Sequence, residues 1–301
     1  MSILLSKNTR VLIQGITGRE GLARSKLMKD YGTNVVAGVT PGKGGREVWG
    51  IPVYDTVESA LKERGGVDLS VTFVPAPFVK DAVYEALDAG VKIIVMPVER
   101  VPIHDILDIL AYAKRCEARV VGPGSLGLVT PGEAIAGWIG GTLELAQSVF
   151  KPGPVGVMSR SGGQTTTLCW ALTEAGLGES TAIHIGSEPV VGTSFAELLT
   201  LFEEDEQTEL VVMFGEIGTQ AEEEAAEVLK EGGFSKPLVA YVTGGSAKPG
   251  IRFSHASAII EEGRGTAESK IKALREAGAT VVERPDEVVV KVKELTQSFR
   301  G

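Results

Sequence analysis

Val11-Leu-Ile-Gln-Gly15-Ile-Thr-Gly18-Arg-Glu-Gly21 reads as a short apolar strand, a G-x-x-G-x-x-G turn and the start of a helix. Glycines allow the tight reversal and let the backbone approach a ligand closely, and a helix N-terminus offers unpaired N–H groups to a phosphate. Placed at the first strand of an α/β chain, the loop predicts a doubly wound sheet with a ligand at its mouth. The flanking sequence agrees. Val/Ile-rich runs at 10–14, 34–39, 69–74, 91–96 and 119–121 alternate with helix-like stretches at 22–31, 57–64, 79–89 and 106–118. Continuous apolar runs are what strands buried on both faces require, and alternation with helices points to a parallel sheet.

Residues 131–154 break the pattern with Gly140-Gly141 and Lys151-Pro-Gly-Pro154, and are expected to be a connector. The alternation then restarts, with strands expected at 155–158, 181–185, 210–214, 238–242 and 280–282, and helices at 164–175, 195–202, 221–231 and 266–277. Two α/β units follow: a doubly wound unit at 1–130 and a second, also mainly parallel, at 155–301. The acidic runs at 203–206 and 222–224 read as solvated surface.

Composition narrows the function classes. The 301 residues include 43% hydrophobic and 23% charged side chains, as a packed globular chain does. A formal charge of −9 argues against nucleic acid or an anionic membrane surface as partner. Cys116 and Cys169 are too few for a disulfide framework and lack metal-ligand spacing, so no metal site is expected. No apolar run reaches the ~20 residues a bilayer span needs, and the N-terminus does not read as a signal peptide, so a cytoplasmic location is expected. Glycine is unusually frequent, at 38 residues, and its positions mark the candidate sites.

An NAD site expects an acidic residue at the end of the second strand. Here Thr40-Pro-Gly-Lys43-Gly-Gly45 follows that strand. A cation among glycines suits a ligand phosphorylated on its ribose; coenzyme A is one and NADP the competitor. Strand ends at Val74-Pro-Ala-Pro77 and Met96-Pro97-Val98-Glu99-Arg-Val-Pro102 occupy further ligand-facing positions. In the second half, Ser159-Arg-Ser161-Gly162-Gly163 resembles an anion cradle ahead of a helix. Glu216 stands between glycines in Phe214-Gly-Glu-Ile-Gly218, where a carboxylate could orient a histidine. Among three histidines, His184 reads as a satisfied core residue and His104 as part of an exposed turn. His255 lies in a small-residue loop, accessible for nucleophilic or general-base work.

Together these segments resemble the α subunits of succinyl-CoA synthetases, within the nucleoside-diphosphate-forming acyl-CoA synthetases. The likeness runs through the glycine loop, AGVTPGKGG, VPAPF, VGPGSLGLVTPGE, MSRSGG, FGEIG, SHASAII and GRGTAESKIKALREAGA. It implies a CoA-binding Rossmann-like unit, a flavodoxin-like unit, and a β subunit (αβ or α2β2) whose ATP-grasp domain binds ATP or GTP with Mg. It further implies that His255 carries a phosphoryl group to a small carboxylic acid, that Glu216 contacts it, and that the CoA thiol then displaces the phosphate. By motif match, Gly15, Thr17, Gly18, Arg19, Glu20, Lys43, Pro97, Val98 and Glu99 are CoA contacts, and Ser159, Ser161, Gly162 and Thr166 belong to the substrate and phosphate region.

The chain departs from the family pattern in four places. G-H-A-G reads Ser254-His255-Ala-Ser257, G-P-N-C-P-G reads Gly122-Pro-Gly124-Ser125-Leu-Gly127, I-G-G-D-P reads Ile185-Gly-Ser187-Glu188-Pro, and Thr166 replaces a tyrosine. Some of these are closer to citryl-CoA synthetase and ATP-citrate lyase. Succinate is the expected acid and citrate the alternative. A CoA-binding regulatory protein without catalysis, and an NAD(P) oxidoreductase, are the remaining readings.

Overall fold

A computed structural model describes residues 3–245, 255, 257, 258 and 265–300. Among these, the strands form two seven-stranded sheets. The first contains β1 (Val11–Gln14), β2 (Val35–Val39), β3 (Glu47–Val48), β4 (Ile51–Tyr54), β5 (Leu69–Thr72), β6 (Ile93–Val95) and β7 (Arg119–Val121). Its helices are α1 (Arg19–Tyr31), α2 (Val57–Arg64), α3 (Val79–Asp88) and α4 (Ile103–Arg115).

Strand order is β3-β4-β2-β1-β5-β6-β7, with β3 antiparallel on the edge. Counting the parallel strands alone gives 3-2-1-4-5-6, the Rossmann order, whose topological switch point lies between β1 and β5. Alternation along β1 divides its side chains. Leu12 joins a core with Val57, Val83 and Ile109 under α2–α4, while Val11 and Ile13 enter the core on the other face.

The second sheet begins earlier than expected. β8 (Gly127–Thr130) and β9 (Ala134–Gly137) form an antiparallel hairpin, and α5 (Leu143–Val149) follows, capped by Thr142. The expected connector at 131–154 is therefore mostly structured, and a boundary at 130 would cut the hairpin. Beyond it lie β10 (Pro152–Ser159), α6 (Gly162–Glu174), β11 (Glu179–His184), α7 (Phe195–Glu204), β12 (Leu210–Glu216), α8 (Ala221–Lys230), β13 (Leu238–Thr243), α9 (Ala267–Glu276), β14 (Thr280–Val282) and α10 (Glu287–Arg300).

The order β14-β13-β12-β10-β11-β8-β9 contains the flavodoxin-like 2-1-3-4-5 arrangement in its parallel strands. β8 pairs antiparallel with β11 and extends the sheet. The apolar core of this unit is continuous with that under one face of the first sheet. Ile13, Met28 and Val71 share it with Ile135, Phe150 and Val157. Each such side chain contributes about 1.5–3 kcal/mol on burial, so the shared core ties the two sheets firmly together.

Candidate functional site

The first site is a groove at the Rossmann switch point. A cleft of about 810 Å³ is lined by Gly15, Thr17, Gly18, Thr40, Asp55 and Phe78, among others. It abuts a second cleft of about 630 Å³ that shares Gly18, Phe73, Val74 and Pro75 and adds Arg19, Glu20, Pro97, Val98, Glu99, Leu126 and Trp138. Gly15 needs to be glycine: its φ is +77°, and a Cβ there would collide with the Phe73 carbonyl. Its N–H donates to the Val39 carbonyl, 2.7 Å away, so the loop is braced across β1 and β2.

Lys43 stands on the rim loop and has no carboxylate partner among the described residues. That loop is held by Asp55, which accepts the Gly44 N–H at 2.8 Å. The acid missing from the end of β2 is thus present at the end of β4, where it fastens the loop. Sequence reading missed Asp55, because its link to Gly44 crosses eleven residues of chain.

The second site sits at the flavodoxin-like switch point, between the ends of β10 and β12. Glu216 is the last residue of β12 and its side chain is 6% exposed. The His255 Nδ1–H donates to Glu216 Oε2 at 2.6 Å, while the ring remains 26% exposed. The neutral imidazole is then the Nδ1–H tautomer, with the lone pair on Nε2. The hydrogen bond to Glu216 raises the His255 pKa above its ordinary value against the opposing effect of burial, with Glu99 adding to the rise and Arg160 opposing it. Burial alone would push Glu216 up, but His255, Arg160 and Ser257 outweigh it and hold the carboxyl below its usual range.

A cavity of about 170 Å³ opens beside the ring, lined by Ser161, Gln164, Thr243, Gly244, His255 and others. Ser161 stands at the N-cap position of α6 without a side-chain capping bond, and the first backbone N–H groups of the helix lie at this end. The cavity therefore has an imidazole and a helix N-terminus, an end that can attract an anion, on its walls.

The sequence-predicted residues of the cradle divide by role. Ser159 is buried, and its hydroxyl is engaged with the Ser161 backbone, accepting from the N–H and donating to the carbonyl at 2.9 Å each. It builds the turn. Gly162 packs under Leu126, leaving no room for a Cβ, and Thr166 donates to the Gly162 carbonyl at 3.4 Å. Leu126 thus lines the groove and packs against the first residue of α6. His184 is a satisfied core histidine, as expected. Its Nδ1 accepts the Leu126 N–H at 2.8 Å and its Nε2 lies 3.0 Å from the Arg160 carbonyl, and burial lowers its pKa to about 4.

Behind Glu216 lies a buried support. The Glu216 N–H donates to Glu222 Oε1 at 2.9 Å, and Glu222 pairs with Lys270, which also donates to Glu223 at 3.0 Å. Glu222 and Lys270 are fully buried. This corrects the expectation that the acidic run at 222–224 is all solvated surface: two of its carboxylates neutralise a cation on α9. Arg160, also buried, places Nε 3.4 Å from Glu216 Oε1 and donates from Nη2 to the Glu188 carbonyl at 3.0 Å.

Four substituted residues, from three of the places that depart from the family pattern, meet in space. A Cβ on Gly124, whose φ is +68°, would lie 2.7 Å from Ser187 Oγ and 3.5 Å from Glu188 Cγ. The side chain lost at 124 is thus exchanged for volume gained at 187 and 188. Ser257 Oγ donates to Glu216 Oε1 at 2.7 Å and lies 3.1 Å from the Ser187 carbonyl. Ser254 lies outside the described residues.

Two family models match the chain: a CoA binding domain over residues 6–99 and a CoA-ligase domain over residues 158–280. With the two switch-point sites, they define a CoA-dependent acid–thiol ligase subunit. Among curated relatives, the "Succinate--CoA ligase [ADP-forming] subunit alpha 2" of Archaeoglobus fulgidus is 49% identical over 98% of this chain and 100% of its own. The chain belongs to the succinate–CoA ligase α-subunit family. An "ADP-forming sulfoacetate-CoA ligase subunit" of Bilophila wadsworthia is 46% identical over 98% of this chain and 99% of its own. The solved ATP citrate lyase of Methanothrix soehngenii, in complex with citrate and coenzyme A, superposes with a TM-score of 0.90 at 25% identity. It matches 98% of this chain, which spans about half (51%) of the lyase chain. No helix among the described residues is long and apolar enough to cross a membrane.

Proposed function

We propose that this chain is the α subunit of an ADP-forming succinate–CoA ligase in which His255 carries the phosphoryl group. The observation that carries the reading is the imidazole held by a buried carboxylate at the mouth of a phosphate-sized cavity headed by α6. Glu216 occupies Nδ1, so Nε2 is the nucleophile. Nε2 attacks the terminal phosphorus of a nucleoside triphosphate, and the diphosphate leaves. Positive charge developing on the ring is balanced by Glu216. A carboxylate oxygen of succinate then attacks phosphorus, the N–P bond breaks and an acyl phosphate forms. Finally the CoA sulfur attacks the acyl carbon and inorganic phosphate leaves, taking up the thiol proton.

In this reading the nucleotide and its Mg belong to a β subunit with an ATP-grasp domain. CoA occupies the groove, with Gly15, Thr17 and Gly18 at the phosphates, Lys43 on the ribose phosphate, and Arg19, Glu20 and Pro97–Glu99 along the pantetheine arm. Glu99 lines the groove and also acts electrostatically on His255, which supports a thiol arriving near the ring. Ser161, Gly162 and Thr166 form the phosphate and acid region; Ser159 supports them. Strands β1–β7 with their helices would then make the CoA unit, and the chain from β8 onward the transfer unit, in a cytoplasmic enzyme.

The experiment pairs the chain with its β subunit and supplies ATP labelled on the γ-phosphate. Acid-labile label should appear on the α chain and be absent from His255→Ala. Equal labelling of that variant overturns the relay. Discharge of the label by succinate, compared with citrate and sulfoacetate, reads the acid.

A further inference from the structure

We propose that Ser257 is a positioning residue of the phosphoryl relay, whose hydroxyl fixes the Glu216 carboxylate in the orientation that serves His255. A glutamate's terminal torsion is broad and roughly two-fold, so a carboxylate holding a single partner can rotate away from it. Here Oε2 takes His255, and something must hold Oε1. Arg160 Nε is 3.4 Å from Oε1, a long contact, whereas Ser257 Oγ is at 2.7 Å. The shorter of the two holds belongs to the serine.

Burial reinforces the point. Ser257 is 2% exposed, so water does not compete for its proton. The hydroxyl has one proton and two acceptors in reach, Glu216 Oε1 at 2.7 Å and the Ser187 carbonyl at 3.1 Å. The charged and nearer acceptor takes the stronger bond. Ser257 stands two residues after His255, and the Ala258 N–H donates to the His255 carbonyl at 3.2 Å, closing the turn between them. The hydroxyl therefore pins the histidine's own loop to the sheet-borne carboxylate. A glycine, which the family pattern has at this place, supplies no such hold. The other charged groups facing the pair, Arg160 at the end of β10 and Glu99 after β6, are untouched by changes at 257.

The kinetic part of the test rests on His255 as the phosphoryl carrier; the spectroscopic part does not, so the two can fail separately. On the full chain labelled with ¹⁵N, long-range ¹H–¹⁵N spectra report the tautomer of each ring, with His184 and His104 as internal references and His255→Gln giving the assignment. The wild type should show the neutral His255 ring as Nδ1–H, Ser257→Ala and Ser257→Gly a mixture of tautomers, and Ser257→Thr the wild-type state. In the complex with the β subunit, the Ala and Gly variants should be phosphorylated about 5- to 30-fold more slowly, with CoA affinity unchanged and Thr restoring most of the rate. The acid limb of the rate profile should also move to lower pH, because a carboxylate free to turn away from Nδ1 gives up part of the hydrogen bond that raises the His255 pKa. Wild-type tautomers in both the Ala and Gly variants overturn the proposal. So does a rate loss that is uniform with pH and not recovered by threonine.

Discussion

Replacing Glu216 by glutamine tests the coupling between the carboxylate and the imidazole directly. The wild-type contact is a charge-assisted hydrogen bond of 2.6 Å to a side chain that is 6% exposed. Such bonds contribute roughly 1.5–3 kcal/mol, and glutamine keeps the size while removing the charge. If the amide oxygen faces His255, the amide nitrogen meets the Arg160 Nε–H, donor against donor, and Ser257 must turn its proton to the Ser187 carbonyl to accept. If it flips, an N–H meets the Nδ1–H. Neither orientation satisfies the site, so most of the bond energy should be lost where positive charge develops on the ring. At about 1.4 kcal/mol per decade, the phosphorylation rate should fall roughly 10- to 150-fold. The glutamine also removes what raises the His255 pKa, so the surviving activity should extend to lower pH. Rapid-quench labelling of the αβ complex with γ-labelled ATP across pH 5.5–8.5 measures both effects. CoA titration should give an unchanged dissociation constant. Phosphorylation at the wild-type rate, or an acid limb that stays in place, would refute the assigned role.

Glu179 offers a pH-dependent stability test. It is fully buried at the start of β11, and burial raises its pKa to about 8 despite donors from Lys151 and Thr173. A raised carboxyl pKa means that the folded chain holds a proton the unfolded chain has lost, so stability should fall as pH rises from about 4.5 to 8. Glu179→Gln should therefore be nearly neutral at pH 4 and stabilising at pH 8, by up to about 4 kcal/mol in denaturant titrations; equal effects at both pH values would exclude the mechanism. Gly124→Asn should destabilise by about 1–3 kcal/mol through the clash with Ser187, and Ser187→Gly should recover most of it. Simple additivity of the two changes would argue against volume exchange. Lys43→Ala should weaken CoA binding by about 10- to 150-fold if its ammonium meets a phosphate, and an unchanged dissociation constant in calorimetry would remove it from the groove.

Much of this was legible because it is written locally. The glycine loop follows directly on β1, and apolar runs of three to six residues mark the strands that both helical layers cover. The loops of both sites could be placed at strand ends, and Glu216 and His255 stood out by their small neighbours. What escaped is non-local. Glu222 looks like surface within its acidic run, and only the fold brings Lys270 to it across 48 residues. The β8–β9 hairpin hides in a Gly- and Pro-rich stretch, because Gly127 and Gly137 are there to let two backbones nearly touch, a demand invisible in either strand alone. Asp55 is one acid among many until Gly44 is placed against it. Ser257 departs from a glycine pattern, and its meaning emerges only with the acceptors at 216 and 187.

The hairpin bears on how such a chain can be taken apart. Since β8 lies along β11, a ligase half begun at the proline-rich stretch near 152 would leave the outer ladder of β11 bare and ready to recruit a strand from another molecule. Splicing the transfer half of one relative onto the coenzyme half of another should succeed only with a junction upstream of Gly127, so that the borrowed sheet arrives with its border already sealed.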